Sequence, residues 1–151
     1  APLLDNYQLN VAHIEQLVNE NTKIIWICSP NNPTGNSLDR IDIETILNHF
    51  NGIVVVDEAY IEFVRDRSVF NSLDDPLKDP RVVTLRTFSK AYGLAGFRIG
   101  YGIMDREAAQ ILNRIRQHGK SPVIYGSIHY FVRYGGARLL AFVILIPMLF
   151  F

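Results

Sequence analysis

The sequence predicts an α/β layer: a mostly parallel sheet flanked by helices. Three observations predict it. Helical and strand patterns alternate through the first half of the chain. The strand candidates are continuously apolar rather than alternating, as expected of strands covered on both faces. Each of the first three also runs directly into a polar loop, and open α/β sheets bind ligands at the carboxyl ends of their strands.

The first helix is expected over 11–19, where Val11, Ile14, Leu17 and Val18 make one apolar face and Asn10 supplies the cap. Residues 23–28 are a short β-branched and aromatic strand. It stops at Ser29-Pro30-Asn31-Asn32-Pro33-Thr34-Gly35, a run of turn formers that must be an ordered loop. A second helix is expected over 39–50, with Ile43, Ile46, Leu47 and Phe50 facing inward. Gly52 ends the connection, and an apolar strand over 53–56 runs into Asp57-Glu58. After a polar, proline-marked stretch (65–80), a third strand over 81–86 leads straight into Thr87-Phe88-Ser89-Lys90. A fourth covers 99–104, and Asp105 caps a helix reaching about Gln117. No repeat or low-complexity linker interrupts residues 1–120, which read as one partial domain. Residues 121–151 are an unassigned apolar tail.

Composition excludes several classes of function. The chain has 151 residues, enough for a domain with its own core, and 15 acidic residues balance 15 basic ones. That balance gives no electrostatic reason to expect nucleic acid or an anionic membrane as partner. Cys28 is the single cysteine, so no intrachain disulfide forms, and no Cys/His cluster has metal-ligand spacing. A reducing, cytoplasmic setting is the simplest expectation. Residues 139–151 are apolar without interruption and contain Pro147. They fall short of the roughly 20 residues that span a bilayer, so a buried strand, an aggregation-prone tail or a garbled reading frame is expected before a membrane helix.

Three strand ends offer distinctive polar groups: Asn32 in the first loop, Asp57 and Tyr60 after the second strand, and Thr87 to Arg98 after the third. Brought together they supply an amide, a carboxylate, a phenol, two hydroxyls, a lysine and an arginine. That set meets the needs of pyridoxal 5'-phosphate. Lys90 would hold the aldehyde as a Schiff base. Asp57 would keep the ring nitrogen protonated, because an adjacent negative charge favours the charged form. Tyr60 and Asn32 can both hydrogen-bond the ring oxygen. Thr87 and Ser89 offer hydroxyls to the phosphate, and Arg98 a planar fork. A lysine near cations and partly desolvated has a lowered pKa, which suits this chemistry. Taken singly, each residue has an ordinary explanation. A lysine after a strand is usually on the surface, Asp57-Glu58 could be a turn or cap, and Asn32 before Pro33 is a common turn element. The glycines from Gly93 to Gly102 do not make the dinucleotide fingerprint.

Three segments in this order carry a resemblance: Ser29 to Gly35, Val56-Asp57-Glu58-Ala59-Tyr60, and Thr87-Phe88-Ser89-Lys90-Ala91-Tyr92-Gly93-Leu94-Ala95-Gly96-Phe97-Arg98-Ile99-Gly100-Tyr101. They resemble the large cofactor-binding domain of fold-type I aminotransferases. With Asp57-Glu58-Ala59-Tyr60-Ile61-Glu62-Phe63 and the opening Asp5-Asn6-Tyr7-Gln8-Leu9, they resemble most closely the histidinol-phosphate aminotransferase family. The resemblance spans roughly residues 1–120. It implies Lys90 as the Schiff-base lysine, Asp57 as partner of the pyridine nitrogen, Tyr60 and Asn32 at the ring oxygen, and Thr87, Ser89 and Arg98 at the phosphate. It also implies transfer of an amino group between histidinol phosphate and 2-oxoglutarate in histidine biosynthesis, by a homodimer with its active sites at the subunit interface.

Relative to that family the chain is expected to be incomplete at both ends. The agreement fades after about Lys120, and a frame error or artificial junction near Gly119 would explain the change. Neither the small domain nor the arginine that binds the substrate carboxylate is found. Other readings therefore stay open: a different fold-type I transaminase, an amino-acid phosphate decarboxylase, or a non-catalytic remnant serving as a binding module.

Overall fold

The computed structural model describes residues 1–65, 78–97, 99–118, 129–134 and 137–145, with backbone only at residue 113 and from residue 115 onward. Its strands are β1 (Ile24–Cys28), β2 (Ile53–Asp57), β3 (Val82–Thr87), β4 (Ile99–Met104), β5 (His129–Tyr134) and β6 (Ala137–Leu145). They form one six-stranded sheet in the order β1-β2-β3-β4-β6-β5. The helices are α1 (Val11–Leu17), α2 (Arg40–His49) and α3 (Arg106–His118).

The sheet is mixed. β1, β2 and β3 pair in parallel, with Ile27 beside Val56 and Val56 beside Thr84. β4 pairs antiparallel to β3, β6 antiparallel to β4, and β5 antiparallel to β6. The mostly parallel sheet expected from the apolar strands is thus confined to β1–β3. The physical reason is the length of the connections. A parallel return needs a crossover of a dozen or more residues, commonly a helix, as α2 provides between β1 and β2. Residues 88–98 join β3 to β4 with only a 3-10 turn at Ala95–Phe97, so the chain folds straight back. Of the apolar run 139–151, residues 139–145 lie in strand β6. Expectations for 119–128 and 146–151 lie outside the described residues.

Local chemistry explains three of the element ends. Asn10 caps α1, its side chain accepting from the His13 N–H at 3.0 Å. α1 ends at Leu17, two residues earlier than its apolar face suggests. Asn19 and Thr22 close a side-chain turn just beyond it: Asn19 N–H donates to Thr22 Oγ1 and Asn21 N–H to Asn19 Oδ1. Such side-chain bonds compete with the helical pattern. Asp105 caps α3 through the Glu107 N–H at 2.8 Å.

The two faces of the sheet are unequal. On one, Val54, Val56 and Val82 pack with Ile27, Ile43, Ile46, Phe50 and Ile61, all buried, under α1 and α2. Leu47, also expected inward, is partly buried against the same cluster. On the other, the buried cluster is Val55, Val83, Met104 and Ala109, beneath α3. Full burial of one such side chain contributes about 1.5–3 kcal/mol, so the α1/α2 face holds most of the apolar stabilisation among the described residues.

Candidate functional site

The loop after β1 is ordered by its own side chains, as its turn formers require. Ser29 is fully buried. Its N–H extends the β1–β2 ladder to the Asp57 carbonyl at 3.0 Å, and its hydroxyl accepts from the Leu38 N–H at 3.0 Å. Asn31 donates to Thr34 Oγ1 at 2.7 Å, Thr34 bonds Asn36, and Asn36 donates to the Tyr7 carbonyl at 2.9 Å. The loop is therefore fastened at its base and across its tip. Asn32 projects from it into a cleft of about 440 Å³ that Pro30, Pro33, Tyr60 and Phe63 also line.

Asn32 and Tyr60, 28 residues apart, meet there. The Asn32 amide donates to the Tyr60 phenol oxygen at 3.2 Å. Tyr60 opens a 3-10 turn at Ile61–Phe63 directly after β2. Asp57, the last residue of β2, is half-buried and accepts the Ala59 N–H at 3.1 Å, which starts that turn. Lys90 arrives from the β3 side. Its Nζ lies 5.1 Å from the centroid of the Tyr60 ring, within the range of a cation–π contact. Three of the residues singled out from sequence, Asn32, Tyr60 and Lys90, are thus in one chain of contacts, and Asp57 sits three residues from Tyr60. Lys90 is exposed, which differs from the partly desolvated lysine expected from sequence. It stands at a turn tip, where the described residues leave it open to water.

The Lys90 turn is a closed unit. Phe88 N–H donates to the Ile99 carbonyl, Gly93 N–H to the Lys90 carbonyl and Leu94 N–H to the Phe88 carbonyl, each at 3.0 Å. Gly93 has φ +67°, a conformation open to glycine at little cost. Thr87 Oγ1 donates to the Ile99 carbonyl at 3.3 Å and accepts the Ser89 N–H at 3.1 Å. Thr87 and Ser89 are both half-buried. Phe88 packs against Tyr92 and Tyr101, with ring centroids 5.2 and 5.5 Å apart. Gly100 lets β4 come close at this point, because a Cβ there would meet the Arg86 carbonyl oxygen at 2.8 Å. Arg98 lies outside the described residues.

Sequence reasoning missed a charged pair beneath these loops. Glu58 is fully buried, and its Oε2 accepts from Arg86 Nε at 2.8 Å and from the Arg86 terminal nitrogen at 2.7 Å. Arg86 is opposite Tyr101 in the β3–β4 register. Burial lowers the Arg86 proton affinity, but the Glu58 carboxylate and the Tyr101 phenol more than offset this and hold it above its ordinary value. Burial pushes the Tyr101 phenol up, with the Arg86 charge opposing the shift. The signal was present in the sequence: a glutamate directly after one apolar strand and an arginine inside another. Cys28, beside Asp57 in the β1–β2 register, is half-buried, and burial raises its thiol.

Among the described residues no group of three or more His, Cys, Asp or Glu side chains could hold a metal ion. No helix among them is long and apolar enough to cross a membrane.

Residues 1–128 match the family described as aminotransferase class I and II. A histidinol-phosphate aminotransferase of Flavobacterium psychrophilum is 47% identical over 111 residues, covering 74% of this chain and 31% of that protein. Among solved structures, the histidinol-phosphate aminotransferase of Sinorhizobium meliloti in complex with pyridoxal-5'-phosphate superposes with a TM-score of 0.68 at 31% identity. It covers 78% of this chain and 32% of that one. The aspartate aminotransferase of Thermotoga maritima gives a TM-score of 0.67 at 30% identity, over 77% of this chain and 32% of the other. The chain spans about a third of the length of the curated relatives it matches.

Proposed function

The chain belongs to the class I and II aminotransferase family, and from that premise we propose that it is the cofactor-binding part of a histidinol-phosphate aminotransferase. The observation that carries this reading is the convergence of Asn32, Tyr60 and Lys90 from three separate strand ends, with Asp57 at the base of the Tyr60 turn. The donor set fits pyridoxal 5'-phosphate: one exposed amine for its aldehyde, one carboxylate for its ring nitrogen, and a bonded amide–phenol pair for its ring oxygen.

Bound pyridoxal phosphate supplies an electron sink for negative charge at the carbon bearing the amino group. The chain's own groups prepare and use that sink. Lys90 would hold the group through its amine, and that amine, when free, would take up and return the proton of the carbon that bears the substrate amino group. Asp57 would favour a protonated ring nitrogen by supplying the opposite charge. Tyr60, already oriented by Asn32, would donate to the ring oxygen. Thr87, Ser89 and Arg98 would hold the phosphate, a guanidinium being able to donate to it twice. The substrates proposed are histidinol phosphate and 2-oxoglutarate, and the working form a cytoplasmic homodimer in histidine biosynthesis. The histidinol-phosphate aminotransferases among the relatives support that choice. A second reading, an aspartate-type transaminase, is favoured by the Thermotoga maritima likeness at nearly the same identity.

Reconstitution with pyridoxal 5'-phosphate, borohydride reduction and peptide mapping tests the site. Label on Lys90 is the expected result; label on another lysine overturns the assignment. Spectral conversion of the loaded protein by histidinol phosphate, rather than by aspartate, separates the two substrate readings.

A further inference from the structure

The Glu58–Arg86 pair is expensive to build. A fully buried carboxylate and a largely buried guanidinium both lose hydration, and their attraction repays this only with good geometry. Its position is what makes it informative. Glu58 follows Asp57, and its own carbonyl accepts the Ile61 N–H at 3.1 Å, the bond that closes the Tyr60 turn. Arg86 precedes Thr87, so it anchors the first foot of the Lys90 turn. Its backbone partner across the sheet is Tyr101 on β4, whose ring also packs on Phe88 inside that turn. One buried contact therefore joins the roots of the two turns that carry Tyr60 and Lys90. Side chains alternate along a strand, so Glu58 and Arg86 point to the face opposite Asp57 and Thr87. The pair braces the site from below.

We propose that the Glu58–Arg86 pair, with the Tyr101 phenol against Arg86, is a positioning device that holds the Tyr60 turn and the Lys90 turn at their working separation. The inference rests on the reading of Lys90 as the cofactor lysine. Glu58, Arg86 and Tyr101 are positioning residues: they act through Tyr60 and Lys90.

A purely structural pair and a positioning pair predict different results in a double-mutant series. Glu58→Met and Arg86→Met each leave one buried charge without its partner, whereas the double variant removes both and regains most of the lost stability. Pyridoxal 5'-phosphate affinity is read by absorbance titration, and amide exchange by magnetic resonance on the cofactor-free chain. If the pair positions the turns, the double variant melts near the wild-type temperature while its cofactor affinity stays about tenfold weaker. The Ile61, Gly93 and Leu94 amides then exchange about tenfold faster, with the Phe50 and Val54 amides unchanged. Affinity and amide protection that return together with the melting temperature would overturn the proposal. Where the methionine variants fail to fold, Arg86→Lys, which keeps the charge and loses the fork, decides by the same comparison of turn and interior amides. A wild-type chain that takes up no pyridoxal phosphate would sink the functional reading, and the amide comparison would then test the positioning role by itself.

Discussion

The interior of the sheet and its carboxyl rim are built by the same three parallel strands under opposite rules. Val54, Val56 and Val82 lie in a dry cluster with Ile43, Ile46 and Phe50. At the rim the same strands end in Asp57, Glu58, Arg86 and Thr87, and the loops beyond carry Asn32, Tyr60 and Lys90. Interior residues stabilise by leaving water. Rim residues keep polar groups aimed outward, held by directed bonds such as Asn32 to Tyr60. The difference teaches where each kind of damage should appear: stability in the interior, chemistry at the rim. Glu58–Arg86 straddles the two, since it is buried like the core and charged like the site.

Four substitutions would break or sharpen that division. The largest effect is expected from Lys90→Ala, which removes borohydride-fixed cofactor and lowers turnover at least about a thousandfold, about 4 kcal/mol of transition-state stabilisation. Its denaturant midpoint should match the wild type, because Lys90 is exposed; a large loss of stability would show the rim to be structural as well. Next, Glu58→Ala should cost about 3–5 kcal/mol by leaving Arg86 charged and unpaired in a buried site, measured by urea unfolding. Ile46→Ala, at a fully interior position, should cost about 3 kcal/mol yet leave cofactor affinity within about twofold of the wild type. An affinity loss comparable to that of Glu58→Ala would erase the distinction between interior and rim.

The smallest effect concerns Asp79 and Arg81, which join the β3 approach to the Phe50 carbonyl. Hydrogen bonding from Arg81 holds the Asp79 carboxyl below its ordinary value. A lowered native value means the pair stabilises fully above the unfolded carboxyl value of about 3.9, and the contribution is lost as pH falls through the native value. Asp79→Asn should therefore cost about 0.5 kcal/mol at pH 7, and urea midpoints of variant and wild type should converge in strong acid.

Much of this was legible in the sequence because local rules and burial agree there. The Asn10 and Asp105 caps, the inward face of α2 and the four strands 24–28, 53–57, 82–87 and 99–104 follow from periodicity and turn chemistry. So does the convergence of Asn32, Tyr60 and Lys90, since polar loops after adjacent strands share one edge of the sheet. The reversal at β4 was less legible, because an apolar strand reads the same in either direction; only the shortness of 88–98 gives it away. The Glu58–Arg86 pair was missed for a different reason. Charge at a strand end looks like solvent exposure until the register sets it opposite its partner, and register is a tertiary fact.

The turn that carries Lys90 is held by contacts of short reach, such as Thr87 to Ile99 across 12 residues. Asn32–Tyr60 and Glu58–Arg86 each reach across 28. Loop-closure entropy grows only logarithmically, so the longer closure costs only about 0.7 kcal/mol more. What separates the two groups in folding is their prerequisites. The lysine turn needs β3 and β4 alone, a hairpin of neighbouring sequence. The amide–phenol contact needs β1 docked on β2, and the ion pair needs β2 docked on β3. A chain with only the hairpin formed would present its lysine turn fully shaped, with neither Asp57 nor Tyr60 beside it. The candidate site is complete only when β1, β2 and β3 are docked together.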